Sequence, residues 1–312
     1  MARYRDQLPQ LSGTTFLTDG GIETDLIFNK GAELPDFAAF TLLAEERGQR
    51  LLDQYFRENA EVARQAGVGF VLESATWRAN PDWAAGLGYD RGRLGEVNRQ
   101  AIDMLAEIRA EFASDQPMVI SGCVGPRGDG YQPGQQMSAD EAHRYHQVQA
   151  DMFAGTEADQ LTAITMTYPE EAIGVARAAR DAGMPVVLSF TVETDGRLPN
   201  ASTLADAISS VDEATDGYPA YYMINCAHPT HFTEVLDPAA SWTSRIRGLR
   251  ANASRASHAE LDESPTLDAG DPTEFGRLYA QLREAFPQFT VLGGCCGTDV
   301  RHIREVASEC IA

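Results

Sequence analysis

Three cysteines carry the chemistry open to this chain. Cys295 and Cys296 stand side by side in Gly293-Gly294-Cys295-Cys296-Gly297, directly behind the apolar run 289–292, and Cys226 closes the apolar run 221–224. Thiolates at the ends of two strands suit a zinc ion whose fourth coordination position stays open, the arrangement of a reactive rather than a structural metal. A free thiol, with a pKa near about 8.5, is mostly protonated at neutral pH, but coordination removes that proton. Three thiolates also leave the complex net negative, so an entering sulfur keeps its electron density, whereas a three-histidine site favours hydroxide chemistry. A substrate thiol entering the open position would be bound as a thiolate and would itself be the nucleophile. No separate catalytic residue of the protein is needed, and proximity and alignment supply most of the acceleration.

Such a site needs strands to bring its ligands together. Eight apolar runs, at 15–18, 69–73, 118–122, 161–165, 186–190, 221–225, 246–251 and 289–292, read as strands. Amphipathic stretches lie between them, for example 49–66, 94–112, 139–154, 169–182, 202–213 and 272–285. Alternation of this kind marks parallel strands joined by crossover helices. Helix ends are signalled at Ala66-Gly67 and Ala182-Gly183, where glycine serves as a C-cap. Eight strand–helix units predict an α/β fold, a (β/α)8 TIM barrel with its active site at the C-terminal rim; a doubly wound sheet is the alternative. Asp19-Gly20-Gly21, Glu73 to Trp77, Cys123 to Pro126, Cys226 and Cys295-Cys296 all follow strands and so fall on that rim. Strands six and eight are separated by one strand only, close enough for their thiolates to share an ion.

Composition narrows the partners. With 46 acidic against 25 basic residues the net charge is −21, which argues against nucleic acid, since phosphate neutralisation needs clustered Lys and Arg. No stretch approaches the roughly 20 apolar residues of a membrane helix, and the N-terminus lacks a signal-peptide core. The expectation is a soluble, cytoplasmic protein acting on small molecules, without nucleic-acid or membrane partners; a homo-oligomer is compatible with the sequence. Five cysteines in 312 residues are too few for a disulfide framework, which leaves thiols free for metal. No linker, repeat or charge block marks a boundary, so residues 1–312 are expected to form one domain.

The landmarks taken together resemble the homocysteine S-methyltransferase family, the zinc-dependent thiol methyltransferases that include betaine-, S-methylmethionine- and folate-dependent members. They are Asp19-Gly20-Gly21 with Glu23-Thr24, the segment Ala75 to Asn80, Ser121 to Pro126, Pro185 to Thr191, Asn225-Cys226, and Gly293 to Thr298 with His302-Ile303. The resemblance covers most of the chain and implies that Cys226, Cys295 and Cys296 hold Zn2+ while Asp19 contacts the amino-acid substrate. Gly20, Gly21, Glu73, Thr76, Trp77, Met166 and Asn225 complete the expected substrate-binding set. The implied reaction carries a methyl group from an onium donor to homocysteine, as in methionine biosynthesis.

Met166 marks a departure from the family. It stands in the fourth strand where the family has a glutamate that reads the substrate's ammonium, and a thioether cannot pair with a cation. Leaving that ammonium buried without a partner costs at least a few kcal/mol, by rough estimate. Either Asp19 or Glu73 takes over, or the acceptor is a different thiol. The donor side is served by Trp77, Trp83, Tyr89 and Tyr131 in the loops after strands two and three, because onium groups favour aromatic faces. Family members that use betaine carry an aromatic residue at Arg78 and Tyr at Thr167, so a sulfonium such as S-methylmethionine or S-adenosylmethionine is preferred here.

Other classes stay open. A structural or regulatory zinc barrel would close the metal's sphere with Cys123 or with His228 of the Cys226-x-His228-x-x-His231 spacing. A redox protein would use Cys295-Cys296 as a vicinal disulfide. A zinc hydrolase fits less well, since the strand ends lack its histidine and carboxylate ligands, and Cys310 near the C-terminus is assigned no role.

Overall fold

A computed structural model describes residues 1–112 and 116–311. Eight parallel strands close into a barrel in chain order: β1 (Phe16–Leu17), β2 (Gly69–Glu73), β3 (Met118–Val124), β4 (Gln160–Met166), β5 (Val186–Phe190), β6 (Tyr221–Asn225), β7 (Ile246–Ala251) and β8 (Val291–Gly294). Closure is made by β1 pairing with β8, Phe16 opposite Val291. The long helices around it are α1 (Glu46–Ala66), α2 (Arg91–Phe112), α3 (Ala139–Ala154), α4 (Pro169–Asp181), α5 (Leu204–Thr215), α6 (Pro272–Ala285) and α7 (Val300–Cys310). This is the expected (β/α)8 architecture, with one unit reduced. Between β6 and β7 the chain makes only Pro229–Phe232 and two 3-10 turns, in a stretch broken by Pro229 and Pro238.

Local sequence explains the helix ends. Ser138 and Glu141 form a reciprocal capping box at α3, and the Asp271 side chain accepts from two backbone amides at α6, each satisfying donors a helix start leaves free. Gly67 and Gly183, at φ 68° and 67°, take the left-handed conformation that stops a helix cheaply. β8 begins two residues later than the apolar run predicts. Gly293 and Gly294 extend the ladder opposite Arg250 and Ala251, so the cysteine pair leaves the sheet directly.

The barrel interior is layered. Phe16, Val71, Val119, Val187, Tyr221, Met223 and Val291 fill its N-terminal end. Above them lies a polar layer in which Gln160 donates to Thr162 Oγ1 and the Thr162 and Ser121 hydroxyls meet at 2.7 Å. Strand faces turned outward pack on the helices in one continuous core. Asp159, fully buried, fastens the N-terminal segment to this end: it accepts from the amides of Arg3, Tyr4 and Ile120 and from the Arg109 guanidinium at 2.8 Å. No helix among the described residues is long and apolar enough to cross a membrane.

Asp159→Ala leaves the buried Arg109 only the half-exposed Glu157 and takes the acceptor from three backbone amides; it should cost about 3–5 kcal/mol. Urea unfolding should register that loss while metal content stays at the wild-type level, because the residue sits at the end of the barrel opposite the cysteines.

Candidate functional site

The three cysteines meet at the C-terminal mouth of the barrel. The sulfurs of Cys226, Cys295 and Cys296 all lie within 4.8 Å of one another, a group able to hold a metal ion. Those of Cys226 and Cys296 are 3.7 Å apart, and two sulfurs each about 2.3 Å from a tetrahedral zinc stand about 3.8 Å apart. Neither Cys123 nor His228 joins this group. Cys123 is buried on the cavity wall, and His228 turns its Nδ1 to the Thr230 amide to cap Pro229–Phe232. Cys310 lies far off at the end of α7.

Protonation within the trio favours a cation. Hydrogen bonds with Cys226 and then Cys296, helped by the Arg250 charge, hold the Cys295 thiol well below its ordinary range. Bonds to Cys295 and Cys296 push Cys226 well above it. At Cys296 the bond with Cys226 pulls down, but the bond to Cys295 and burial prevail and leave that thiol high as well. Three sulfurs packed together, Cys226 buried and the vicinal pair half-buried, therefore resist more than one negative charge by themselves, and a divalent cation relieves the conflict.

Backbone geometry delivers the sulfurs. Cys226 sits at φ 52°, a left-handed turn that ends β6; His258 Nε2 lies 2.6 Å from the Cys226 carbonyl. Close approach of the Asp19-Gly20-Gly21 turn fixes the vicinal pair. A Cβ on Gly21 would stand 2.4 Å from the Cys295 carbonyl oxygen, and one on Gly294 2.1 Å from Thr298 Oγ1, so these positions exclude any side chain. The Tyr131 hydroxyl reaches over the trio, 3.3 Å from the Cys296 sulfur and 3.9 Å from that of Cys226. Its ring stacks on His258 with centroids 3.9 Å apart.

Beneath the sulfurs, Arg250 at the end of β7 forms a buried fork. It donates to Asp19 at 2.6 Å, to Glu73 at 3.1 Å and to the carbonyls of Gly20 and Gly294. Tyr55 donates to the second oxygen of Asp19 at 3.0 Å. Arg250 was not among the expected site residues. The available signal was an arginine in an apolar strand, at the rim position.

A cavity of about 380 Å3 opens above this layer, within the usual size of a small-ligand site. Asp19, Gly20, Gly21, Glu73 and Trp77 line it, as does Glu23. Burial raises the Glu23 carboxyl to about 7. Thr76 and Asn225 are fully buried behind the wall. Thr76 donates to the Cys123 carbonyl; Asn225 accepts from the Thr165 amide and the Ser189 hydroxyl.

Met166 does not face the cavity. It packs into the core beneath the helices, and Thr165 takes its place on the wall. The cause is a bulge: four residues of β4, from Ala163 to Met166, lie against three of β5, from Leu188 to Phe190, with Thr165 at φ 68°. An extra residue inverts the alternation beyond it. The residue facing the cavity is thus a threonine, which has no charge to pair with an ammonium and whose hydroxyl already accepts from Asn225.

The aromatic faces are already engaged. The Arg78 guanidinium lies 4.5 Å from the Trp77 ring centroid and 3.6 Å from that of Trp83, and Trp77 donates to the Ile164 carbonyl. Tyr89 packs edge-on against Phe40. Trp83 and Tyr89 do not line the cavity.

The model of the family described as homocysteine S-methyltransferase matches residues 16–310. The chain belongs to that family. It is a methyltransferase on a TIM barrel, and the family match spans the fold and the cysteine mouth together. Homocysteine S-methyltransferase YbgG of Bacillus subtilis is 24% identical over 309 residues, covering 93% of this chain and 92% of that protein. Two crystal structures of the homocysteine methyltransferase MmuM from Escherichia coli share its fold. The metallated form superposes with a TM-score of 0.71 at 18% identity, and the oxidized form with 0.70 at 19%, each covering 95% of this chain and 96% of its own.

Arg250→Leu would leave two carboxylates facing each other in a dry layer, at a cost of about 3–5 kcal/mol. Burial already raises Asp19 and Glu73 despite the pull of Arg250, and its loss raises them further. A carboxyl with a raised folded-state pKa binds more protons folded than unfolded, so its contribution is complete at low pH and is lost as pH climbs through that value. In metal-stripped protein, the urea midpoint of Arg250→Leu should trail wild type more at pH 8 than at pH 5. Equal deficits at both would mean that the fork does not hold these charges.

Proposed function

We propose that this methyltransferase uses Cys226, Cys295 and Cys296 to hold Zn2+ and moves a methyl group from a sulfonium donor to the thiol of homocysteine, giving methionine. The observation that carries the reading is the trio itself: three convergent sulfurs, joined by no fourth His, Cys, Asp or Glu among the described residues, opening onto a ligand-sized cavity. Zinc, when bound, supplies the charge that removes the substrate thiol's proton at neutral pH. The protein's own groups do the rest. Arg250 and its two carboxylates hold the wall beneath the trio rigid, and the Asp19-Gly20-Gly21 turn holds the cysteine pair in place. Tyr131, its ring stacked on His258, sets its hydroxyl over the Cys226 and Cys296 sulfurs. Alignment of two small substrates in so enclosed a space accounts for most of the rate.

Homocysteine and the reaction class draw support from the family and from the names of its relatives. Preference for a sulfonium over betaine rests on Arg78 and Thr167 at the positions where betaine-dependent relatives carry aromatic residues. A zinc barrel without transferase activity is disfavoured by the distance of Cys123 and His228 from the trio, since either would be needed to close the metal's sphere.

About one zinc per chain is expected, falling to near zero in Cys295→Ala and in Cys226→Ala while circular dichroism stays unchanged, because the barrel core is independent of the metal. Full retention of metal in either variant would sink the assignment. Mass spectrometry of the zinc-loaded protein, with sulfonium and betaine donors crossed against homocysteine and other thiols, should find methionine with a sulfonium donor. Methylation of another thiol alone would replace homocysteine as acceptor.

A further inference from the structure

An amino-acid thiol brings an ammonium into this cavity, and that cation needs a carboxylate with an oxygen both free and exposed to the cavity. Six acidic residues line the wall, and five are unsuited. Asp19 spends one oxygen on Arg250 and the other on Tyr55. Glu73 gives Oε2 to Arg250, and its Oε1, though without a hydrogen bond, is sealed from any probe entering the cavity. Asp129 accepts from the amides of Tyr131 and Gln132 and lies beside Arg78. Asp268 accepts from Ser254 and from the Gly270 amide. Asp262 lines the cavity but is exposed to solvent, where pairing with an ammonium contributes little.

Glu23 remains. Among the described residues no side chain hydrogen-bonds or ion-pairs with it; only its own backbone amide turns toward its carboxylate. Its position is set against the thiols. It belongs to the short helix Ile22–Thr24, which is clamped onto the cysteine turn from both sides: the Gly21 amide donates to the Thr298 carbonyl, and the Gly297 amide donates to Thr24 Oγ1. The carboxylate therefore projects into the cavity from the backbone that braces Cys295.

We propose that Glu23 holds the ammonium of the thiol substrate and thereby selects α-amino-acid thiols over thiols without an amine. The inference rests on the reading that a thiol binds at the cysteine trio. It resolves the departure at the fourth strand: with Met166 and Thr165 both uncharged, and Asp19 and Glu73 committed to Arg250, recognition moves to the β1 loop.

The test is calorimetric titration of zinc-loaded wild type, Glu23→Gln and Glu23→Asp with homocysteine and with 4-mercaptobutyrate, which has the same chain without the amine. Wild type should bind homocysteine more tightly. Glu23→Gln should weaken homocysteine about 10- to 100-fold, the scale of a lost charged hydrogen bond, and leave 4-mercaptobutyrate within about 2-fold, with zinc content and thermal midpoint unchanged. Glu23→Asp should recover part of the preference. Equal weakening of both thiols, or of neither, would overturn the proposal while leaving the thiol site intact. Failure of wild type to bind either thiol would remove the thiol reading and this inference with it.

Discussion

One guanidinium between two buried carboxylates keeps the mouth of this barrel in shape. Arg250 ties the ends of β1 and β2 to β7 through Asp19 and Glu73, and its remaining donors take the carbonyls of Gly20 and Gly294. Taken singly, each of these charges would be costly in so dry a place; together they are tolerated because every strong donor has an acceptor. The arrangement also ties the fold to the thiols. β7 is the strand that spaces β6 from β8, so the element that sets the separation of Cys226 from the cysteine pair also delivers the positive charge that lowers the Cys295 thiol. One side chain thus braces the strand ends and lowers the Cys295 thiol.

Around that fork the chain departs from regular geometry at two positions. Thr165 and Cys226 are non-glycine residues with φ of 68° and 52°, each a conformation costing on the order of 1–3 kcal/mol. Asn225 links them. It immediately precedes Cys226, accepts from the Thr165 amide and donates to the Thr165 hydroxyl. A residue expected to touch substrate instead holds the two irregular strand ends against each other, which orients one thiol and one stretch of wall at once. Regular local structure builds the frame, and local rules are broken where the site needs them broken.

This division explains what could be read from the residues alone. The eight strands, most helix ends and the convergence of the three cysteines follow from periodicity, capping glycines and strand order, all local or nearly so. The fork was hidden because Arg250 is 231 residues from Asp19 and 177 from Glu73, and no spacing rule links such positions. Met166 was misplaced for a subtler reason. Strict alternation from Thr162 and Ile164 does aim residue 166 inward, and only the extra residue against β5 turns it away. Glu23 lay in plain sight beside the Asp-Gly-Gly turn, but its importance depends on which other carboxylates are already committed, a fact of tertiary structure.

Charge on the wall then bears on how the two substrates of a methyl transfer share one cavity. The indole faces of Trp77 and Trp83 already carry Arg78, itself beside Asp129, so the rings contribute little further attraction to a cation. The uncommitted acidic groups are Glu23 and, with a metal bound, the sulfurs. If Glu23 is taken by the acceptor's ammonium, the donor's positive charge is left to the sulfurs, which draws the donor toward the nucleophile rather than toward the aromatic loop. Once the methyl group has moved, the donor is neutral and that attraction ends. An electrostatic wall of this kind favours loading of the charged donor and release of the spent one, while the barrier itself is left to alignment at the cysteine mouth.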